Sequence, residues 1–300
     1  MTLSLRRALL IAKRSAYDLY VRQHGSQRVK DLLARRDPTV ARMMRADEHH
    51  GRTLEEVQIA LDALGVRFNL RMRDRVGEVT DVDLVITVGG DGTLLSVSHS
   101  VGNIPMLGVN SAPMDSVGYL CSARMGGVRA HLEAALAGRV RALTLARMAV
   151  RVDGVVQHAR VLNDALFAHA HPANTSRYLL TVGDHTEEQR SSGIWVSTAT
   201  GSTAAIRSAG GRVLPLRSRK LQYVVREPYV APGERAVSLG GVLRQGQVFE
   251  IANKMREAKI YLDGPRTALT VEIGQRVRFE RSDEPLVLLG VSEAGASARR

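Results

Sequence analysis

The chain has 300 residues, a formal net charge of +12 and a mean hydropathy of −0.10. That is enough for two domains or one large one, and no apolar run approaches the roughly 18–20 residues of a membrane span. One cysteine, Cys121, excludes an intrachain disulfide; it is expected to be a buried small side chain in a reducing compartment. The positive charge calls for anionic partners, yet Arg outnumbers Lys 37 to 5 and the cations are scattered. Four Phe, seven Tyr and one Trp offer little stacking surface. A phosphate-rich small ligand explains the charge as well as nucleic acid does, and single-strand binding is disfavoured.

The apolar stretch between Leu5 and Arg14 has a transit-like look, but no small-residue cleavage pattern follows, so Ala8–Ala12 is read as a first strand. Residues 15–64 read mostly as helix. Thr53-Leu54-Glu55-Glu56 forms a capping-box pattern ahead of Val57, Ala60, Leu61 and Leu64, and Gly65 stops the helix. Arg45–Arg52 reads as an exposed connection with His49 and His50 solvated. Val66–Leu70 and Leu84–Val88 are the second and third strands, and Ile104–Asn110 is another that ends in a polar residue. Strands alternating with helices imply a parallel, Rossmann-like sheet with ligands at the carboxyl ends.

After a helix at Gly127–Ala137 the pattern changes to short β-type runs: Ala149–Val152, Val155–Leu162, Tyr178–Val182, Ile194–Ser197, Gln222–Val225, Gln247–Ile251, Ile260–Leu262 and Leu269–Ile273. These predict a β-rich second domain. Leu286–Leu289 is a last apolar strand, and Glu293–Arg300 reads as a frayed tail.

Three segments carry chemistry. The third strand stops at Gly89-Gly90-Asp91-Gly92-Thr93 and an apolar helix follows, a geometry that aims backbone N–H groups at an anion. Glycines there are expected to take left-handed angles and to let the backbone approach phosphate. A carboxylate among phosphate-binding groups implies a phosphotransferase, with Asp91 as base or Mg²⁺ partner; the alternative is an ordinary βα turn with an Asp cap. The second segment, Ser197-Thr198-Ala199-Thr200-Gly201-Ser202-Thr203, holds five hydroxyls ahead of Ala204-Ala205-Ile206, and suits a sugar or pyrophosphate. The third, Asn163-Asp164, has an amide and a carboxylate that suit a ribose diol or an adenine edge, though the pair is also ordinary turn chemistry. His169 and His171 lack a completing ligand and read as structural.

Together these segments resemble the NAD kinase family over almost the whole chain. Gly89–Thr93 matches its glycine motif, Asn163-Asp164 its Asn-acidic pair, and Ser197–Ala204 its second signature, with Ser208-Ala209-Gly210-Gly211 behind. The first motif is shared with diacylglycerol and sphingosine kinases and with phosphofructokinases; the three in this order are specific. The resemblance implies an N-terminal Rossmann-like parallel α/β domain, a second β-sandwich-like domain and a site between them. We expect 1–125 to form the first, with 280–300 returning to it, and 126–279 the second. It implies transfer of a phosphoryl group from ATP, or from polyphosphate, to the adenosine 2′-hydroxyl of NADH or NAD⁺. Mg²⁺ or another divalent cation would be held by the substrate phosphates. The expected assembly is a cytoplasmic homodimer or homotetramer, without nucleic-acid or membrane partners.

Carried over by position, Asp91 takes or aligns the 2′-hydroxyl proton and Gly92 approaches the dinucleotide. Asn163 and Asp164 hold ribose or adenine, and Thr203 and Ala204 line the adenine pocket. Gly89, Gly90, Thr93, Asn110, Thr200, Gly201, Ser202 and Ser208 complete the expected nucleotide-binding set. Three positions depart from the usual pattern: Ser192 replaces Asp, Ala199 replaces Pro and Ala205 replaces Tyr. With His169, Ser191-Ser192-Gly193 and Leu221–Pro228 they look like the plant-type NADH kinase branch. A lipid kinase and a catalytically silent dinucleotide sensor are the competing readings.

Overall fold

The computed structural model describes residues 6–113, 116–233 and 237–291; the expected tail at 293–300 lies outside them. The elements are, in order, β1 (Arg7–Ala12), α1 (Gln27–Ala34), α2 (Met43–Ala63), β2 (Arg67–Met72), β3 (Leu84–Gly89), α3 (Asp91–Ser98), β4 (Met106–Asn110), β5 (Ala123–Arg124), α4 (Val128–Leu136) and β6 (Ala142–Leu145). There follow β7 (Met148–Val152), β8 (Val155–Val161), β9 (Asp164–His169), β10 (Ser176–Val182), β11 (His185–Ser191), β12 (Ile194–Ser197), α5 (Ala205–Ser208), β13 (Gln222–Val225) and β14 (Gly240–Val242). The last are β15 (Phe249–Asn253), β16 (Ala258–Leu262), β17 (Thr267–Val271), β18 (Arg276–Arg281) and β19 (Leu286–Leu289). The chain divides into two compact units, Met1–Leu143 with Val287–Arg300, and Thr144–Leu286.

The first unit is a seven-stranded sheet ordered β2-β1-β3-β4-β19-β6, with β5 on β4. β1, β2, β3, β4 and β19 pair in parallel. Every residue of β3 and β4 is buried, as expected for parallel strands covered on both faces. Val57, Ala60 and Leu61 of α2 and Val128, Leu132 and Ala135 of α4 fill one core with the strands. That core explains why α4 belongs to the first unit and why the units divide near 143 rather than at 125.

The polar run 45–52 is part of α2, not a connection. Its buried stripe begins at His50 and Thr53 and continues through Val57, Ala60 and Leu61, a helical spacing that polar residues hide from a hydropathy reading. Thr53 therefore lies inside the helix, its hydroxyl donating to the His49 carbonyl at 2.7 Å, and caps nothing. Glu56 accepts instead from the Gly126 and Val128 N–H groups at 2.8 and 3.1 Å. β2 starts one residue later than expected and runs to Met72, on an exposed edge where burial does not mark its ends.

The second unit has two six-stranded antiparallel sheets, ordered β11-β10-β15-β18-β7-β8 and β14-β13-β12-β9-β16-β17. Alternate residues of both sheets share one core, among them Val150, Phe167, Tyr178, Val196, Tyr223, Ile251, Ile260 and Phe279. Phe167 and Tyr178 meet edge to face, 5.5 Å apart. Among the described residues no helix is long and apolar enough to cross a membrane.

Candidate active-site segments

In the first unit, β3 runs into Gly90 and α3 begins at Asp91. None of Gly89, Gly90 and Gly92 has a positive φ, contrary to the expectation of left-handed angles; space is the reason for two of them. A Cβ at Gly89 would overlap the Thr93 side chain, and one at Gly90 would lie 2.5 Å from Ser116 Cβ. Gly92 is exposed, with nothing within 4 Å of where its Cβ would be, so its open side is where a ligand could approach.

The Asp91 carboxylate is clamped. Its Oδ1 accepts the Leu120 N–H at 2.8 Å and its Oδ2 the Tyr119 N–H at 2.9 Å. The Asp91 N–H donates to Ser116 Oγ at 3.2 Å. The Ser116 hydroxyl also donates to Oδ2, at 3.5 Å. These donors orient the carboxylate without neutralising it by a cation, and Oδ1, with its single donor, keeps a lone pair for another proton. Asn110 is occupied within the turn after β4: its Oδ1 accepts from Ala112 N–H at 3.0 Å and its Nδ2 donates to the Ser116 carbonyl at 3.1 Å. His50 is buried, not solvated, and its Nδ1 lies 2.7 Å from Ser111 Oγ. Burial first, then the Lys13 charge, holds its pKa below the ordinary value. His49 Nδ1 lies 3.2 Å from the Ser111 carbonyl.

In the second unit, Asp164 opens β9 and Ser197 ends β12, and the two residues are paired. The Thr198 N–H donates to the Asn163 carbonyl at 2.9 Å, and a Cβ at Gly201 would overlap that same carbonyl. Most hydroxyls of this loop turn inward. Ser197 donates to Thr198 O, Thr198 to Leu162 O and Ser202 to Ala199 O, at 2.8, 2.5 and 2.7 Å. Ser202 Oγ also accepts the Leu214 N–H at 3.0 Å. Thr203 and Ala204 are half-buried, and Ala205 and Ser208 are exposed. The expected helix after the loop is the four-residue α5.

Two polar atoms here are buried and make no hydrogen bond among the described residues: Asn163 Oδ1 and Thr200 Oγ1. Such orphaned acceptors are rare, because each forfeits its hydration. Asp164 is buried, and burial, then the Asp263 charge, pushes its pKa up to about 7. Sequence reasoning missed Asp263. Its carboxylate accepts the N–H groups of Leu162, Asn163 and Asp164 at 2.7, 2.7 and 3.0 Å, setting the backbone that presents the pair. Its only local mark is an Asp-Gly turn after β16, which reads as ordinary hairpin chemistry.

Residues 2–140 match the family model of the ATP-NAD kinase N-terminal domain. A probable NADH kinase of Oryza sativa subsp. japonica is 36% identical over 241 residues, covering 73% of this chain and 74% of that protein. The chain belongs to the NAD kinase family. The NADH kinase of Arabidopsis thaliana is 32% identical over 244 residues, 74% of this chain and 76% of that one. NAD kinases also share its fold. One from Archaeoglobus fulgidus, solved with ATP, superposes with a TM-score of 0.70 at 19% identity, over 98% of this chain and 99% of that one. Yeast NADH kinase, solved with NADH, gives 0.67 at 15% identity, over 99% and 86%.

The positions where the chain departs from the usual NAD kinase pattern have plain surroundings. The Ser192 carbonyl accepts from Arg226 Nη1 at 3.4 Å, and that guanidinium lies 5.8 Å from the centre of the Trp195 ring. Ala199 is buried and Ala205 points to solvent. His169 Nδ1 accepts the His171 N–H at 2.9 Å. Among the described residues no three His, Cys, Asp or Glu are gathered as a metal cage.

Proposed function

We propose that this member of the NAD kinase family transfers the terminal phosphoryl group of ATP to the 2′-hydroxyl of the adenosine ribose of NADH or NAD⁺. The bond between phosphorus and the 2′-oxygen forms as the phosphoanhydride bond to ADP breaks, and the 2′-hydroxyl proton passes to Asp91. The clamp from Tyr119 and Leu120 fixes that carboxylate, so it needs no reorganisation when the proton arrives. Asn163 Oδ1 and Thr200 Oγ1 complete their hydrogen bonding on donor groups of the dinucleotide, and Asp164 accepts from a ribose hydroxyl. Gly92 leaves room for the ligand, and Thr203 and Ala204 flank the adenine. Any divalent cation enters on the ATP phosphates, as part of the substrate.

The observation that carries the reading is the pair of buried polar atoms, Asn163 Oδ1 and Thr200 Oγ1, which make no hydrogen bond among the described residues and lie inside the segments that match the family signatures. Neither the lipid-kinase nor the silent-sensor reading gains support from the family relationship. NADH is expected to be used at least as well as NAD⁺, because Ser192 and Ala205 offer neither a carboxylate nor a ring to a cationic nicotinamide. We further propose a cytoplasmic homodimer or homotetramer, to be checked by light scattering.

The test incubates pure protein with ATP, Mg²⁺ and either dinucleotide, coupled to an NADP-specific dehydrogenase. Turnover is expected, with a kcat/KM ratio for NADH over NAD⁺ of one or more. Labelled lipid, or dinucleotide binding without turnover, would overturn the assignment. Replacing ATP by polyphosphate tests the donor.

A further inference from the structure

We infer that a basic cleft on the second unit binds an oligophosphate anion, at a place no signature residue of the family occupies. The cleft encloses about 690 Å³, within the range of roughly 300–1,000 Å³ in which small-molecule sites fall. Arg219 and Lys220 line it from the turn before β13, Arg244 from the turn between β14 and β15, and Arg278 and Arg281 from β18.

These walls are held in place. The first turn is closed by Ser218 N–H donating to Pro215 O at 2.8 Å and Lys220 N–H to Ser218 Oγ at 3.3 Å. In the second, the Gln247 N–H donates to Arg244 O at 3.1 Å, and the Arg244 N–H to Gln247 Oε1 at 3.0 Å. Gly246 supplies the φ of +75° that this turn needs. The Leu243 N–H, donating to Leu221 O at 2.8 Å, ties the two turns together. Binding would therefore order side chains only, not the backbone.

The charge is uncompensated. Arg219, Lys220, Arg244 and Arg281 are exposed, and none makes a salt bridge among the described residues. Arg278 shares Glu250 with Arg276. The one carboxylate in the lining, Glu280, is held by Arg151 at 2.5 Å. Four exposed cations in the lining of one concavity call for a compact ligand with several negative charges. Guanidinium forks match phosphate oxygens in particular. A nucleic acid would need exposed rings for stacking, but the aromatic side chains here, Phe249 and Phe279, are buried.

The test titrates inorganic tripolyphosphate into the intact protein by calorimetry, at low and at physiological salt. Saturable binding that weakens with salt is expected. The double variant Arg219→Glu/Lys220→Glu should bind about tenfold or more weakly, as loss of charge-assisted hydrogen bonds requires, with unchanged thermal melting. Arg219→Lys/Lys220→Arg should retain binding. ADP displacing tripolyphosphate at comparable concentration supports a nucleoside-borne oligophosphate, and failure to displace it supports a free one. No saturable binding, or equal binding by the charge-reversed variant, overturns the proposal.

Discussion

The turn at 89–93 and the loop at 197–203 look alike as sequence, each placing glycines and hydroxyls between a strand and a helix. Their interiors differ. In the first, glycines are required by the chain's own Thr93 and Ser116, and both oxygens of Asp91 accept backbone N–H groups. In the second, Ser197, Thr198 and Ser202 bond inward, while Asn163 Oδ1 and Thr200 Oγ1 are buried with no partner among the described residues. The first segment is a finished structure that holds one charge in place. The second is left incomplete, and a substrate can complete it. A polar residue in a motif thus does not by itself say whether it faces the ligand or the scaffold; its partner list does.

The sharpest way to break the comparison is Asp91→Asn. The amide cannot act as a base, and its NH₂ must face one of two N–H donors. A kcat loss on the order of 10²–10⁴ is expected, with stability lower by about 1–3 kcal/mol. Near-normal turnover in the coupled assay would leave Asp91 only its clamping role.

Next in size is the pH dependence from Asp164. Its folded pKa of about 7 lies above its ordinary 3.8, so between those values the folded state binds more protons than the unfolded one. Stability from this group is full below about pH 4, falls as pH rises to 7 and is level above, a span of up to about 4 kcal/mol. Asp164→Asn should flatten that part of the profile and raise stability at pH 8, while weakening dinucleotide binding. Denaturant unfolding at pH 5 and pH 8 measures it, and parallel profiles would refute a buried carboxyl.

Gly201→Ala and Gly92→Ala separate scaffold from ligand contact. The first forces a Cβ onto the Asn163 carbonyl and should cost about 1–3 kcal/mol, seen as a lower Tm. The second meets open space, so Tm should stay within the scatter of surface changes, about 0.5 kcal/mol. Its KM should rise if a ligand approaches there. Equal effects on Tm would remove the distinction between the two glycines.

The smallest effect is at Thr200. Thr200→Val removes a hydroxyl that lacks a partner among the described residues, so stability should hold or rise slightly. Dinucleotide affinity should fall by about 0.5–1.5 kcal/mol, the net worth of one hydrogen bond. A drop in Tm with affinity unchanged would mean that the hydroxyl serves the fold.

Much of this was readable in advance. Local apolar runs with β-branched residues mark β3, β4, β12 and β13, because burial on both sides of a sheet demands them. The alternation of strands and helices before residue 140, and the β-type runs after it, announced two kinds of architecture. The spacing of Gly89–Thr93, Asn163-Asp164 and Ser197–Ala204 pointed to the family. β11, with His185, Glu187, Glu188 and Arg190, is nearly all polar and carries no apolar pattern to mark it, since its pairing with β10 needs only backbone.

The sequence by itself determined the fold class, the family and the residues worth testing, because apolar periodicity and motif order are local properties of the chain. Only the tertiary structure decided that α2 starts at Met43 with His50 inside, and that Asp91 is clamped by Tyr119 and Leu120. It alone placed Asp263 behind Asn163 and gathered Arg219, Arg244 and Arg281 around one cleft. In each case the deciding partner is distant in the chain, and hydrogen bonding, desolvation and charge depend on distance in space.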